Sequence, residues 1–119
     1  QVFSILQTLT ELPTIANAAT TDTTIQMPAN SQVHAVSVRT TVTIPTAATY
    51  TVGDSGSATR FSTAAVSATA PSTDPGTKAG CYFNAGALSV RITPNATPAN
   101  NNGRVRVTIY YTTVTPPTS

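Results

Sequence analysis

The sequence predicts an all-β domain, an antiparallel β-sandwich or jelly roll of about seven to eight short strands. Several segments alternate apolar and polar residues with a period of two, which is the spacing of a half-buried strand. Threonine is the most frequent residue, and β-branched threonine and valine favour strands. Clusters of proline, glycine and asparagine separate these segments, as turns do. No segment is typical of a helix of useful length.

The closing segment, residues 104–114, shows the alternation most clearly. Its apolar face consists of Val105, Val107, Ile109 and Tyr111. Arginine, threonine and tyrosine occupy the other face. An Asn-Asn-Asn-Gly turn signal precedes the segment, and Pro116–Pro117 follows it. We therefore predict a strand whose apolar face lies at the centre of the core.

The remaining strands are predicted from shorter alternating or apolar runs. They are expected at residues 24–27, 33–44, 49–52, 59–62, 80–84 and 88–93. The strand at 49–52 is expected to return along 33–44 as a hairpin with a longer loop. Residues 7–23 and 63–79 are predicted to be loops, and Val2–Leu6 an edge strand or an arm packed on a neighbouring subunit. The chain is thus divided into an N-terminal arm and loop (1–23) and a β-sandwich domain (24–119).

The predicted core is small for a chain of 119 residues. Its members are Val36, Val38, Val42, Ile44, Tyr50, Val52, Phe61, Phe83, Leu88, Val90, Ile92, Val105, Val107, Ile109 and Tyr111. At about 1.5–3 kcal/mol per fully buried large apolar side chain, such a core barely offsets the entropy lost on folding. A thin core with long loops favours an oligomer that buries further surface between subunits.

The charge and the cysteine content limit the kinds of partner and metal site that the chain can have. Charged residues make up 8% of the chain, and its formal net charge is +2. Because the basic residues are not clustered along the sequence, nucleic acid is not expected as a partner. Cys81 is the only cysteine, so the chain has neither an internal disulfide nor the usual multi-cysteine zinc site. We expect no cofactor, no metal and no membrane span.

The segment Gly53–Gly56 reads Gly-Asp-Ser-Gly, as the stretch around the nucleophile of chymotrypsin-like serine proteases does. A small serine hydrolase built on Ser55 and His34 is therefore a remote alternative. Its orienting carboxylate would be Asp54, which adjoins the nucleophile and is poorly placed to reach His34. Because a plain turn explains the same residues, we predict no catalytic residues. His34 shares the parity of Val36 and is expected to be half-buried at a strand end.

The outward side of the closing strand is where we expect a partner to bind. Arg104, Arg106 and Tyr110 share this side, and Tyr82 lies in another predicted strand. A tyrosine ring combines an aromatic face with a polar tip, which suits stacking on a glycan. Packing within the sheet or at a subunit interface is the more common role of such tyrosines. We predict Arg104, Arg106, Tyr110 and Tyr82 as candidate partner contacts.

Six segments together form a pattern known from one class of protein. They are residues 27–30, 36–41, 48–53, 59–61, 105–111 and 115–118. The pattern, over residues 25–119, resembles a β-rich domain at the C-termini of tailed-phage virion proteins of the tail fibre, tail needle and head fibre types. The resemblance implies a non-enzymatic module on the virion surface, commonly a homotrimer, with other virion proteins as its partners.

Two virion hypotheses follow from the resemblance. In the first, the chain is the knob or tip of a trimeric tail fibre or needle and contacts a host-surface glycan or protein. In the second, it is a capsid decoration or cement protein that stabilises the shell and needs no receptor. In that case Val2–Leu6 is the anchoring arm, and deletion of residues 1–12 is expected to abolish capsid binding and to leave the fold intact.

Overall fold

The structure, a computed structural model, describes residues 6–62, 66–74, 82–84 and 86–113. These residues form nine β-strands and no helix: β1 Gln7–Glu11, β2 Thr21–Met27, β3 Ser31–Val42, β4 Thr49–Gly53, β5 Val66–Ser67, β6 Ser72–Asp74, β7 Tyr82–Asn84, β8 Leu88–Pro94 and β9 Arg104–Thr113. The predicted all-β class is confirmed. No helix in this part of the chain is long and apolar enough to span a membrane.

The strands form two antiparallel sheets packed face to face. One sheet has the order β1-β9-β3-β6, with β7 also pairing with β3, and is called the five-stranded sheet. The other has the order β2-β8-β4-β5 and is called the four-stranded sheet. The first four strands alternate between the two sheets, and so do β8 and β9. This alternation is the jelly-roll arrangement, one of the two architectures that the sequence predicted.

The predicted hairpin between 33–44 and 49–52 is wrong. β3 pairs with β9, β6 and β7, whereas β4 pairs with β8 and β5 in the other sheet. The turn after β3 therefore crosses the sandwich, and it is anchored where the backbone N–H of Ile44 donates to the carbonyl of Ala68 at 3.0 Å. Alternation shows that both segments are half-buried strands, but it does not show which sheet each one joins.

Three other segments differ from the predicted loops and strands. Residues 7–23 contain β1 and the start of β2, and residues 63–79 contain β5 and β6. Residues 59–62 form a turn and bend instead of a strand, although the Phe61 N–H still donates to the Val52 carbonyl at 3.0 Å. The two short strands were missed because they carry few large apolar side chains.

β1 is an integral part of the five-stranded sheet. All five of its residues pair with β9, from Gln7 opposite Tyr111 to Glu11 opposite Val107. The Glu11 carboxylate also accepts hydrogen bonds from the backbone N–H and the hydroxyl of Thr24, which lies on β2 in the other sheet. Deletion of residues 1–12 removes this strand and its five pairings with β9, so we now expect that deletion to destabilise the fold. A deletion of residues 1–5 spares the strand and tests the arm alone.

The core lies between the two sheets and is built largely from the predicted residues. Its buried hydrophobic members are Ile15, Met27, Val33, Val36, Val38, Ile44, Ala47, Tyr50, Val52, Phe61, Val66, Ala68, Val90, Ile92, Val105, Val107, Ile109 and Tyr111. The apolar face of the closing strand is buried throughout. Leu88 is partly buried, and the side chain of Phe83, like Cys81, lies outside the described residues.

Two bulges in β3 explain the core predictions that are wrong. The pairing register with β9 shifts between Val33 and Ala35 and again between Thr40 and Val42. Each bulge adds one residue and reverses the side on which later residues lie. His34, expected to be half-buried, is exposed, and Val42, expected to be inward, is 42% exposed. Thr40, which precedes the second bulge and shares the parity of Val36 and Val38, is buried.

Thr40 and Tyr50 form a buried polar link between the two sheets. The Thr40 hydroxyl lies 2.8 Å from the Tyr50 hydroxyl and donates to the carbonyl of Ser67 at 2.9 Å. Tyr50→Phe removes one of these bonds and keeps the buried ring. We expect it to lower the free energy of unfolding by about 0.5–1.5 kcal/mol, the net worth of one hydrogen bond, in urea denaturation. An unchanged stability would show that this link does not hold the sheets together.

An ion pair lies on the outer face of the four-stranded sheet. Asp22 of β2 stands opposite Arg91 of β8, and Arg91 donates from Nε to Oδ1 at 2.7 Å and from Nη2 to Oδ2 at 3.0 Å. The hydrogen bonds from Arg91 lower the pKa of Asp22, against a smaller opposing effect of burial. The pair is bidentate but partly exposed, with 31% of the Arg91 and 45% of the Asp22 side chain accessible.

Because the pKa of Asp22 is lower in the folded chain than in the unfolded chain, the pair stabilises the fold above the unfolded pKa, near 3.8. This contribution is lost as the pH falls through the folded pKa. Asp22→Asn is expected to be slightly less stable than wild type at pH 7, since exposed pairs contribute little. The difference is expected to shrink below about pH 4, as urea denaturation across that range would measure. A difference that persists in acid would contradict this origin.

Candidate partner-binding face

The outer face of the five-stranded sheet carries the residues that the sequence singled out on its closing strand. Because residues of one strand alternate between faces, those between the buried residues of β9 point away from the core. These outward residues of β9 are Arg104, Arg106, Thr108, Tyr110 and Thr112. Thr8 and Thr10 of β1 stand opposite Tyr110 and Thr108, and on the other side β3 contributes Ser37 and Arg39. We call this surface the outer face.

Three arginines form a cluster at one end of the outer face. Arg39 of β3 and Arg106 of β9 are directly opposite each other in the register of the sheet. Arg104 lies two residues before Arg106 on the same strand, about 7 Å away along the strand and on the same face. All three residues are exposed. We call Arg39, Arg104 and Arg106 the arginine cluster.

The arginine cluster forms no salt bridge within the described residues. Arg39 Nη1 donates a hydrogen bond to Thr73 Oγ1 at 2.8 Å. Like charges directly opposite each other across two strands destabilise a sheet. Among the side chains that the structure describes, the cluster is therefore a concentration of positive charge without a paired carboxylate, on a chain whose formal net charge is only +2.

The other end of the outer face is uncharged and rich in hydroxyl groups. The Thr10 and Thr108 hydroxyls are 3.3 Å apart, and His34 Nε2 lies 3.1 Å from the Thr112 hydroxyl. Tyr110 is half-buried between its neighbours on β1 and β3. Hydroxyl groups both donate and accept hydrogen bonds, so this end can match a polar surface of either kind.

The structure brings three of the four predicted contacts onto one surface. Arg104, Arg106 and Tyr110 share the outer face. Tyr82 lies in β7, whose backbone pairs with β3, and its side chain is outside the described residues. That these residues contact a partner remains a prediction. Arg39 was not among the predicted contacts, because its position opposite Arg106 depends on a strand register that alternation does not reveal.

The Gly-Asp-Ser-Gly segment is a turn organised by a buried aspartate. Asp54 Oδ1 accepts hydrogen bonds from the backbone N–H groups of Gly56 at 2.8 Å and Ser57 at 3.0 Å. Its Oδ2 accepts from Arg60 Nε at 2.5 Å, and the side chain of Asp54 is fully buried. Sequence analysis missed this ion pair, because the two residues lie in a loop without periodicity.

The three residues of the hydrolase alternative do not form a catalytic triad. Both carboxylate oxygens of Asp54 serve its own loop, so Asp54 does not orient His34. His34 lies on β3 of the five-stranded sheet next to Thr112, whereas Ser55 lies in the turn after β4 of the other sheet. Among the described residues no group of three or more His, Cys, Asp or Glu side chains is placed to hold a metal ion.

Comparison with known proteins gives similarity at the level of structure. No protein-family model matches the chain, and no curated protein matches it with significance. A chain in the capsid asymmetric unit of cyanophage Pam1 is similar, with a TM-score of 0.66 and 27% sequence identity over 93% of this chain and 85% of that one. This chain has the fold of a phage capsid component.

A second capsid chain has the same fold at lower identity. It belongs to the acid-stable capsid structure of Helicobacter pylori bacteriophage KHP30. The TM-score is 0.57 and the identity 14%, over 92% of this chain and 93% of that one. At this identity the likeness concerns the fold alone. In both comparisons the alignment covers most of each chain, so the similarity extends over most of the fold and is not confined to one part of it.

Proposed function

We propose that this chain is a structural protein of a phage virion and that it decorates the capsid shell. The observation that carries the proposal is the similarity to a chain of the cyanophage Pam1 capsid, which extends over 93% of this chain. The proposed location of the chain is therefore the surface of the virion. No catalytic activity is part of the proposal, in keeping with the engagement of Asp54 in its own loop.

The sizes of the similar chains support a decoration role. The Pam1 chain is about 130 residues long, because 93% of the 119 residues here correspond to 85% of its length. The KHP30 chain is about as long as this one. A small jelly roll that makes up nearly a whole chain is thus found in both capsids. A stand-alone domain of this kind is suited to being added to a shell built from other subunits.

We favour the capsid over the tip of a tail fibre or needle, the first hypothesis from the sequence. Both similar chains come from capsid structures. The fibre hypothesis rested on a sequence resemblance that included head fibres as well as tail fibres. Binding to a host glycan or protein belongs to the fibre hypothesis and is not part of the present proposal.

The homotrimer remains a prediction from the resemblance. Three copies of the 12.2 kDa chain have a mass of about 36.6 kDa, that is, three times 12.2. We expect sedimentation equilibrium of the purified chain to give this mass at micromolar concentration. A mass that stays at 12.2 kDa over the same range would contradict the predicted trimer and count against both virion hypotheses.

Immunogold electron microscopy of the phage that encodes the chain tests the proposed location. With an antibody raised against the purified chain, we expect gold particles over the whole surface of the head. Antibody preabsorbed with the purified chain is the control. Gold confined to the tail tip would support the fibre hypothesis against the capsid, and particles without gold would contradict both.

A further inference from the structure

We propose that the arginine cluster docks onto a carboxylate-rich surface of a second, different virion protein, the shell subunit that this chain decorates. The inference rests on the proposed function and deepens it, since it names the face of the chain and the chemistry of the contact. Its starting point is the position of Arg39 directly opposite Arg106, with Arg104 beside them on the same face.

The arginines on the two outer faces of the sandwich have different neighbours. On the four-stranded sheet, Arg91 stands opposite Asp22 and is paired with it at 2.7 Å. On the five-stranded sheet, Arg106 stands opposite another arginine, Arg39, and no carboxylate whose side chain is described pairs with either of them. An anion placed between two opposed guanidinium groups removes their mutual repulsion. Among the described side chains, the outer face therefore has no anion that offsets this repulsion.

The chemistry of the cluster favours carboxylates as that anion. All three cations are arginines, whose planar guanidinium groups bind carboxylates through two parallel hydrogen bonds. They lie at one end of a sheet face whose other end carries threonine and tyrosine hydroxyls. A charged contact bordered by uncharged polar groups is typical of a protein–protein interface, in which arginine and tyrosine are enriched.

A second copy of this chain is a poor source of these carboxylates. The chain has four acidic residues, and three of them are already engaged. Glu11 binds Thr24, Asp22 binds Arg91, and Asp54 binds Arg60. The fourth is Asp74, whose side chain lies outside the described residues. One carboxylate per copy does not neutralise three guanidinium groups, which favours a different protein as the source of the complementary surface.

Nucleic acid is the less favoured anion. Proteins that bind double-stranded DNA through its backbone commonly make about 6–10 phosphate contacts, and their affinity depends steeply on salt. The outer face offers three arginines on a chain of net charge +2. A decoration protein, moreover, binds the outside of a shell that encloses the genome. Binding to DNA is therefore one of the outcomes that the test below distinguishes.

Rebinding to capsids tests the inference. The purified chain is added to capsids from a phage in which its gene is deleted, and the dissociation constant is measured by co-sedimentation. Arg106→Gln is expected to weaken binding by at least about thirtyfold, as loss of one partner of a desolvated charge pair does. Arg91→Gln, which removes the same charge from the opposite sheet, is expected to change binding less than about twofold, as exposed pairs outside an interface do. Capsids whose carboxylates have been amidated with carbodiimide and a neutral amine are expected to lose binding.

The melting temperature of each variant separates docking from folding. Because Arg39 and Arg106 repel each other, Arg106→Gln is expected to melt at the same temperature as wild type or above it. Equal capsid affinity of Arg106→Gln and wild type would overturn the inference and leave the proposed function standing. Absence of wild-type binding would overturn the proposed function itself. Binding of double-stranded DNA as tight as capsid binding, lost in Arg106→Gln, would overturn the assignment to protein carboxylates.

Discussion

Asp54→Ala is expected to lower the free energy of unfolding by about 3 kcal/mol, the lower end of the range for breaking a buried ion pair, because the Arg60 side chain that is left behind is 26% accessible to solvent. The Asp54 side chain is fully buried and binds Arg60 Nε at 2.5 Å. It also accepts the backbone N–H groups of Gly56 and Ser57. The substitution leaves two loop donors without this acceptor and a guanidinium group without its counter-ion, and such groups are costly where they are screened from water.

The neighbouring positions provide controls for this prediction. Ser55→Ala changes an exposed side chain in the same loop and is expected to stay within about 0.5 kcal/mol of wild type. Asp54→Asn keeps one oxygen for the loop N–H groups but loses the charge facing Arg60. The free energy of unfolding that it loses should therefore fall between the losses in Ser55→Ala and Asp54→Ala. Urea denaturation measures all three variants. If Asp54→Ala were as stable as Ser55→Ala, the buried pair would not be what holds this loop.

Ile109→Ala is expected to lower the free energy of unfolding by about 2–5 kcal/mol, the range for truncation of a large core residue. Ile109 is fully buried on β9, between Leu9 of β1 and Val36 of β3 in the register of the sheet. Truncation to alanine removes buried methyl groups and leaves a cavity in the centre of the sandwich. A domain of 119 residues is commonly stable by about 6–18 kcal/mol, so this loss is a large share of the total.

Graded substitutions at and beside Ile109 separate burial from strand pairing. Ile109→Val removes a single methylene group and is expected to lower the free energy of unfolding by about 0.5–1.5 kcal/mol. Thr108→Ala alters the adjacent, partly exposed residue on the outer face and is expected to have a smaller effect than Ile109→Ala. Comparable losses at 108 and 109 would mean that the closing strand is not the centre of the core.

The closing strand shows how much of the fold the sequence specifies. Its alternation predicted the strand and its buried face, because a period of two with one apolar stripe fits only a half-buried strand. The same rule failed along β3, where two bulges reverse the parity and place His34 and Val42 on the outside. A bulge does not change the pattern of apolar residues in a way that the sequence reveals. An inward or outward assignment made at one end of a long strand therefore fails beyond the bulge.

Pairing between strands is the part of the candidate site that the sequence does not specify. The outward parity of Arg39, Arg104 and Arg106 is visible in the sequence. Their convergence depends on β3 lying next to β9 with Arg39 opposite Arg106. Pairing partners so distant in the chain are set by the packing of the whole sandwich, not by local propensity. The assumed β3–β4 hairpin would have placed Arg39 beside the wrong strand.

β1 and the short strands β5 and β6 illustrate a second limit of prediction from the sequence. β1 reads Gln-Thr-Leu-Thr-Glu, in which a single large apolar residue, Leu9, faces the core side. Its place in the sheet comes from five backbone pairings with β9 and from the Glu11 carboxylate that reaches Thr24. Backbone pairing of an edge strand contributes to the fold without leaving a pattern in the side chains.

Cryo-electron microscopy of the complete virion tests the central claim most directly. If the chain is a capsid decoration protein, a symmetric reconstruction of the head will show two-sheet jelly-roll density on the outer surface of the shell, into which this fold fits. In that fit, the outer face with Arg39, Arg104 and Arg106 should be turned towards the shell. A head whose surface density is fully explained by other proteins, with this jelly roll found at the tail tip or nowhere on the particle, would contradict the account.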